Sequence, residues 1–184
     1  MSESFKRLSG VALGLGCGLL IAALPQAASA ATVTIVNLNG AGVGFNDATV
    51  VADTNAGCVI GETLGACRLR VFTTAAEQWG RLLNSTVEIR VEAQMTALTC
   101  SGTSAVLGSA GPKTAFSNFA NAPRANTAYV VALANALSGT DLSADNDIST
   151  NFNISIDAGC LTGTVGWWYG TNPGVAAPIN RTAL

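Results

Sequence analysis

Carboxylates are the side chains of this sequence that could carry out acid–base or metal chemistry. Glu88 and Glu92 lie four residues apart and could act as the acid and base of a glycosidase. They alternate with apolar residues, so we favour charges on the solvated face of a strand. Asp141, Asp145 and Asp147 are oxygen donors that could bind Ca²⁺. This segment lacks the glycine and distal glutamate of an EF-hand, and we expect a solvated turn.

Several reaction types are excluded because the sequence contains no histidine. A Ser-His-Asp triad, a Cys-His pair and an H-E-x-x-H zinc motif all require one. A glycine-rich stretch at residues 39–44 lacks the lysine and the following helix of a phosphate-binding loop. The sequence therefore assigns no catalytic residue and no metal ligand.

Three adjacent aromatic residues near the end of the chain could form a platform on which a sugar stacks: Trp167, Trp168 and Tyr169. Aromatic neighbours close to a cysteine are more often packed in a core, and we favour that interpretation.

The first residues have the three parts of an export signal. Lys6 and Arg7 precede an apolar segment at residues 11–24, and a small-residue cleavage site follows. We expect cleavage between Ala30 and Ala31, so that residues 1–30 are a signal peptide and the protein is secreted or periplasmic. An acylated Cys17 is a weaker alternative, because the apolar run continues past it. No later segment predicts a membrane span.

Composition also limits the partners. Charged residues make up 11% of the chain, the formal net charge is −2, and no basic run occurs. Because nucleic-acid binding needs clustered Lys and Arg, we expect no nucleic-acid partner. The length after cleavage fits one domain. A peptide or protein partner stays open.

Four cysteines remain after the expected cleavage: Cys58, Cys67, Cys100 and Cys160. An even number in an exported chain predicts two disulfides, for which three pairings exist. We favour a local Cys58–Cys67 bond and a long-range Cys100–Cys160 bond. A four-cysteine zinc site is disfavoured because no C-x-x-C pair occurs.

Hydrophobic periodicity predicts the main elements. Residues 32–38 are β-branched and apolar, which predicts a strand, and residues 39–61 read as a long loop. Apolar residues at spacings of three and four predict a helix over residues 63–84, with Thr63 as its N-cap. Strict alternation predicts a strand over residues 87–95, with one polar face.

The second half of the chain is less regular. Residues 103–108 predict a short strand that ends before Gly111 and Pro112. Residues 129–137 suit a short helix that ends at Gly139, although two adjacent valines leave a strand open. Alternation over residues 148–156 predicts a last strand. This order of strands and helices predicts one α+β (mixed α/β) domain.

Several stretches together are similar to one protein family. They are VNLNGAGVGFND (36–47), TLGACRLRVFTTAAEQWGRLLNSTVEIRV (63–91), LTCSGTSAVLGSAGP (98–112), ALANALSGTDL (132–142) and GCLTG with GWWYG (159–170). In this order they resemble the N-terminal half of bacterial secreted PA-domain-containing proteins of the zinc-metallopeptidase type.

The resemblance implies a metzincin-like fold, with a long helix beside a twisted mixed sheet and a shorter helix, over residues 31–170. It also implies that Cys100 and Cys160 are the family's recurring pair and that Cys58 and Cys67 are an addition. In the family a further helix carries the H-E-x-x-H zinc ligands. Residues 171–184 are expected to be an irregular tail and hold no such motif.

Two functions follow as expectations. The first is an exported, truncated metallopeptidase-like protein without its zinc-binding helix, which is not hydrolytic by itself. Zinc is then expected only in full-length relatives, and no cofactor is expected in this chain. The second is a stand-alone secreted binding or structural domain stabilised by its disulfides.

Overall fold

Two helices and a mixed sheet form the core of the part of the chain that the structure describes. The structure is a computed structural model and describes residues 30–184. Its helices and strands, in chain order, are β1 (Val33–Asn37), α1 (Leu64–Leu82), β2 (Ile89–Thr96), β3 (Gly108–Pro112), β4 (Ala115–Phe116), β5 (Tyr129–Val130), α2 (Val131–Ser138), β6 (Ile148–Asn153), β7 (Trp167–Trp168) and β8 (Thr182–Ala183). The predicted α+β class is confirmed.

The main sheet has four strands in the order β1-β2-β6-β3. The first three are parallel, and β3 runs antiparallel to β6. Two small sheets accompany it, one from β4 with β5 and one from β7 with β8. The sheet is therefore mixed, and β1 and β3 are its edges.

The long helix α1 agrees with the prediction from hydrophobic spacing. Thr63 is its N-cap, and the Thr63 hydroxyl accepts a hydrogen bond from the Ala66 N–H at 3.1 Å. Gly80 is required near the other end, because a Cβ there would lie 2.6 Å from the Ala31 carbonyl oxygen. The helix therefore passes close to the segment that leads into β1.

One face of the sheet, which we call the helix face, packs against α1. Residues paired in register share a face, so Ile35, Val91 and Ile148 lie together, as do Met95 and Phe152. At the carboxyl ends of the parallel strands, the Phe72 ring of α1 stands edge-on to the Phe152 ring, with centroids 4.8 Å apart. Phe72 belongs to the hydrophobic core, and Phe152 packs against it.

The alternation predicted for β2 is confirmed. Ala93 and Met95 are buried on the helix face. On the opposite face, the Gln94 amide donates to the Asn151 side chain at 2.6 Å, and the Lys113 ammonium donates to the Glu92 carboxylate. This polar face follows directly from the period of two.

The strand predicted over residues 103–108 is wrong. Strand β3 instead begins at Gly108 and ends at Pro112, where a break was expected. Proline is tolerated at this place because β3 is an edge strand and Pro112 is its last residue. Within residues 103–108, Ala105 only forms an isolated bridge with Cys100.

Strand β6 is shorter than the alternation predicted. It ends at the buried Asn153, whose side-chain oxygen accepts from the N–H groups of Leu98 and Ser155, each at 3.0 Å. The local bond to Ser155 caps a 3₁₀ turn over Ile154–Ile156. The side-chain hydrogen bonds of Asn153 therefore interrupt a pattern that continues in the sequence.

The two interpretations of residues 129–137 both describe part of the segment. Tyr129–Val130 is a short strand, and the helix α2 follows directly at Val131. Gly139 caps α2 in the left-handed conformation, with φ of 73°.

The end of the chain is not irregular throughout. Strand β8 pairs in parallel with β7, and the Leu184 N–H donates to the Trp168 carbonyl at 3.3 Å. Residues 169–181 connect the two strands without a helix or strand of their own.

Among residues 30–184, no helix has both the length and the hydropathy that a bilayer-spanning helix needs. The expected signal segment, with its apolar run and Cys17, lies outside the described residues.

Candidate functional site

Both favoured disulfides are present. Cys58 and Cys67 are bonded, with Cα atoms 5.5 Å apart, and this bond joins the long loop to the first turns of α1. Cys100 and Cys160 are bonded across 60 residues, with Cα atoms 6.0 Å apart. The predicted pairing is therefore confirmed, and it leaves no free thiol among these four residues.

The expected cleavage site lies where the described residues begin. Ala30 is exposed, whereas Ala31 is buried. The Ala31 N–H donates to the carbonyls of Gly80 at 2.9 Å and Leu83 at 3.1 Å. Ala31 is thus anchored to the end of α1. Cleavage between Ala30 and Ala31 stays a prediction.

One cluster has the side-chain types of a metal site. The sulfurs of Cys58 and Cys67 and a carboxylate oxygen of Glu62 lie within 4.8 Å of one another. The two sulfurs are bonded to each other, so neither is the thiolate that binds metals. Glu62 also pairs with Arg70 at 2.9 Å. This cluster therefore gives no support to a metal centre in the oxidised protein.

The charge of Glu62 is well compensated. Burial is the largest single effect on its pKa and raises it, but hydrogen bonds from Arg70 and the Val59 N–H and the Arg70 charge together hold the pKa below its usual value. Glu62 therefore remains ionised, as a partner of Arg70.

Glu88 and Glu92 lie on the polar sheet face, as predicted. The Glu92 carboxylate accepts from Asn146 at 2.9 Å and from Lys113 at 3.0 Å. These hydrogen bonds, with that of Asn146 the largest effect, lower the pKa of Glu92. Glu88 accepts from the Thr34 hydroxyl. A glycosidase general acid needs a raised pKa, so Glu92 is unsuited to that role.

The aspartate segment is exposed at Asp141 and Asp145, as expected of a solvated turn, but Asp147 is buried. Asp147 is 3% exposed and accepts from the Arg90 N–H at 2.8 Å and from the Asn135 amide at 3.0 Å. Asp141 accepts from the same Asn135 amide at 3.3 Å. Only Asp145 of the three is exposed without a partner for its carboxylate among the described residues. Hydrogen bonds within the protein therefore occupy both carboxylate oxygens of Asp147 and one of Asp141, which does not favour Ca²⁺ binding here.

Two of the three adjacent aromatics belong to the core, as predicted. Trp167 and Tyr169 are buried, and the Trp167 indole N–H donates to the Asn153 carbonyl at 2.8 Å. Trp168 is half-buried and lines an open pocket of about 350 Å³. A platform of three stacked rings is therefore not formed.

A buried ion-pair network, which the sequence pattern did not predict, surrounds Arg68. Arg68 of α1 is 2% exposed. Its guanidinium donates to Asp157 at 2.7 Å, to Asp47 at 3.1 Å, to the Gly44 carbonyl at 3.0 Å and to the Tyr169 hydroxyl at 3.2 Å. Its position in the sequence nevertheless indicates burial. Arg68 lies on the stripe of α1 that continues through Phe72, Ala76 and Gly80 at four-residue steps, and all four residues are buried.

The pKa shifts in this network favour the charged forms of Arg68 and Asp47. Burial acts most strongly on Arg68 and lowers its pKa, but Tyr169 and Asp157 together raise the pKa above its usual value. For Asp47 the upward effect of burial is outweighed by hydrogen bonds from Thr49 and by Arg68, so its pKa is lowered. Burial, followed by Asp157, raises the pKa of Tyr169. Tyr169 is therefore a neutral hydrogen-bond donor to Asp157. The network as a whole joins α1 to the loops that contain Asp47 and Asp157.

The amino-terminal half of the helix face is open. An apolar groove of about 420 Å³ lies there, which we call the groove. The sheet forms its floor, the end of α1 forms one wall, and β5 with α2 forms the other. Its lining residues are Val33, Trp79, Leu83, Asn84, Ser85, Ile89, Val91, Val130, Ala132, Leu133, Ala136 and Ile148.

Large apolar side chains on both walls of the groove reach solvent. Trp79 on α1 is 59% exposed, and Leu133 on α2 is 47% exposed. Leu83 and Val130 are exposed as well. Contiguous apolar surface of this kind marks a place where another molecule or segment binds. Asn84 and Ser85 are the polar residues in the lining.

The groove is thus the best candidate for a functional site among the described residues, and sequence periodicity alone did not predict it. The chain has no match among protein-family models, curated proteins or solved structures.

Proposed function

We propose that residues 31–170 are the exported N-terminal scaffold of a metallopeptidase-like fold, and that this scaffold has no hydrolytic activity of its own. The proposal begins from the resemblance over residues 31–170. The single observation that carries it is the groove, because apolar sheet surface beside α1 is uncovered within residues 30–184.

A further helix packed between α1 and α2 would cover this open surface. Val33, Ile89, Val91 and Ile148 share the helix face with the residues that α1 covers further along the strands. Burying apolar surface stabilises a fold by about 25 cal/mol per Å², so a finished core would leave little of this face open. The walls lie on α1 and α2, which suits an amphipathic helix lying between them.

The absence of hydrolysis rests on chemistry. Zinc peptidases activate water on a metal held by protein ligands with one position left open. The sequence has no histidine, and the thiols of Cys58 and Cys67 are bonded to each other. We therefore propose that the scaffold positions a zinc helix in full-length relatives and does not hold zinc itself.

A fragment-complementation experiment tests this function. The probe is a synthetic amphipathic peptide with leucines at helical spacing on one face and H-E-x-x-H on the other. Added to the purified mature chain, it should occupy the groove, change the fluorescence of Trp79 and raise the melting temperature. A peptide of the same composition in scrambled order should do neither.

Two variants on α1 make the experiment specific. Trp79→Ala removes a wall of the groove and should weaken peptide binding roughly tenfold, equivalent to about 1.4 kcal/mol. Leu82→Ala is the matched control, because Leu82 is 77% exposed on the same helix and does not line the groove. Equal affinity for both variants, or zinc-dependent peptide hydrolysis by the mature chain alone, would contradict the proposal.

The groove also supports a second candidate, a stand-alone binding domain for a small apolar ligand. Its volume of about 420 Å³ lies within the range of small-molecule sites, which are mostly apolar with a few polar groups. Asn84 and Ser85 would supply those polar groups. A fluorescent fatty-acid analogue should then bind the mature chain and lose affinity in Trp79→Ala, while the amphipathic peptide should not compete with it.

A further inference from the structure

The free edge of the main sheet lies on β1. The Thr32 carbonyl accepts from the Ile89 N–H at 2.8 Å, and the Leu38 N–H donates to the Ala93 carbonyl at 3.0 Å. Backbone groups alternate in direction along a strand, so the even-numbered residues between them also face β2. The backbone groups that face away from β2 belong to Val33, Ile35 and Asn37. We call this outward side the β1 edge.

The β1 edge is unpaired within residues 30–184. Strand β1 is the first in the sheet order, and it pairs only with β2. No hydrogen bond joins the outward N–H and C=O groups of Val33, Ile35 and Asn37 to another described residue. Three donors and three acceptors therefore lie in a row along one side of a regular strand.

This edge lacks the features that normally prevent strand addition. The other edge, β3, contains Gly108, Gly111 and Pro112, which are poor partners for a further strand. Strand β1 reads VTIVN, with four β-branched residues and no charge, glycine or proline. Its composition suits pairing with another extended segment.

A pocket accompanies the edge on the helix face. It has a volume of about 270 Å³ and lies between the start of β1 and the last turns of α1. Its floor includes Ala76 and Gly80, which are small. Val33 of β1 lines it as well, and Glu77 and Arg81 are its charged lining residues. Alternate side chains of an added strand would point to this face.

The position of α1 favours a peptide over a second copy of the chain. Neighbouring strands lie about 4.8 Å apart, whereas packed helices need about 8–10 Å between axes. Gly80 of α1 lies so close to β1 that an added Cβ would be 4.0 Å from Val33. A second copy paired through β1 would bring its own α1 into this space, and a bare peptide would not.

We propose that the β1 edge binds an extended, uncharged peptide segment of a partner protein by strand addition, with a small apolar side chain in the adjoining pocket. Backbone hydrogen bonds would supply affinity, and the pocket would supply selectivity. Along Val33 and Ile35 a charged side chain of the peptide would find no partner, because the charged neighbours Glu77 and Arg81 line the pocket and not these two positions. This inference does not depend on the metallopeptidase-like assignment.

Amide hydrogen exchange followed by NMR tests the position of binding. The probe is a fluorescein-labelled peptide of alternating valine and threonine, added to the purified mature chain. Exchange at the N–H groups of Val33, Ile35 and Asn37 should slow at least tenfold on binding. The N–H groups of Thr34 and Val36 already face β2 and should change little. Slowing on β3 instead would overturn the proposal.

A matched pair of variants tests the hydrogen bond itself. Val33→Pro removes an outward N–H without removing a bond to β2, and should weaken binding roughly tenfold by fluorescence anisotropy. Val33→Ala shortens the same side chain but keeps the N–H, and should stay within about twofold. Equal affinities for the two folded variants would overturn the proposal.

A second pair guards against misfolding of the proline variant. Val36→Lys places a charge at the edge on the polar sheet face and should weaken binding at least fivefold, whereas Val36→Thr should not. Light scattering of the mature chain without peptide measures whether it forms a dimer. A dimer that Val36→Lys dissociates, together with no peptide binding, would show that a second copy occupies the edge and would overturn the peptide proposal.

Discussion

Arg68 and Asp157 are joined by an ion pair of 2.7 Å across 89 residues of sequence. Arg68 is 2% exposed, and a second nitrogen of its guanidinium pairs with the Asp47 carboxylate at 3.1 Å. The pair links α1 to the 3₁₀ turn that follows β6, and Tyr169 donates to the same Asp157 oxygen at 2.5 Å. One buried cation thus connects three segments that are distant in the chain.

Replacing Arg68 with Met should be strongly destabilising. Met occupies similar space but leaves the two carboxylates and the Tyr169 hydroxyl without their shared donor. Breaking a buried pair by removing one partner costs about 3–5 kcal/mol, and we expect the lower end because both carboxylates are about one-fifth exposed. Urea denaturation measures the loss.

The control is Arg81→Met, since Arg81 is exposed in the last turn of the same helix. Its loss should cost less than about 1 kcal/mol. If the two Met variants were equally stable, the Arg68 network would have no structural role.

Acid should destabilise the protein through its paired carboxylates. The pKa of Asp47 is lowered in the folded state despite the opposing effect of burial, because Thr49 and Arg68 stabilise its charged form. A lowered folded pKa means that the unfolded state binds the proton more tightly. The stabilisation is therefore complete above the ordinary aspartate value of about 3.9 and is lost as pH falls through the folded pKa.

Urea denaturation at a series of pH values measures this effect. The free energy of unfolding should be nearly constant from neutral pH to about pH 5 and should then decrease. Asp47→Asn should reduce the steepness of the decrease, whereas Asp53→Asn, in the exposed part of the same loop, should not. Identical pH profiles for wild type and Asp47→Asn would show that the Asp47 carboxylate does not contribute to the loss of stability in acid.

The two disulfides should differ in their contribution to stability. Cys100–Cys160 closes a loop of 60 residues, and Cys58–Cys67 closes one of 9. If each bond acts by restricting the unfolded chain, the contributions are about 4 and about 2.5 kcal/mol. The variant in which both Cys100 and Cys160 are replaced by Ala should therefore unfold at a lower urea concentration than the variant in which both Cys58 and Cys67 are replaced by Ala. The opposite order would show that packing around the buried Cys67 outweighs loop entropy.

The sequence predicted the elements whose pattern is local. Helix α1 and strand β2 each follow one periodicity, and Thr63 marks the start of the helix as expected. The cysteine pairing was also favoured correctly. These features depend on residues close in sequence, or on the few pairings that four cysteines allow.

Features that depend on distant contacts were not predicted. Strand β3 has no periodic signal and forms because β6 offers it an edge. The partners of Arg68 come from two loops far from α1, although its place on the buried stripe was visible. The groove exists because α2 packs beside the sheet and leaves part of the helix face open, which no single segment encodes.

Asn135 should be the most sensitive residue of α2. It is 2% exposed, and its amide group donates to Asp147 at 3.0 Å and to Asp141 at 3.3 Å. Its carbonyl oxygen accepts from the Leu142 N–H at 2.9 Å. Asn135→Ala would leave the buried Asp147 carboxylate with one donor fewer and the Leu142 N–H without its acceptor.

An unsatisfied buried polar group costs about 1–3 kcal/mol, and we expect about 3 kcal/mol for Asn135→Ala because two groups lose their partner. Thermal and urea unfolding both measure this loss. Asn172→Ala, at an exposed position of the segment between β7 and β8, should change stability by less than about 0.5 kcal/mol. A loss below about 1 kcal/mol for Asn135→Ala would mean that water replaces its hydrogen bonds, and that Asp147 is more accessible than its 3% exposure indicates.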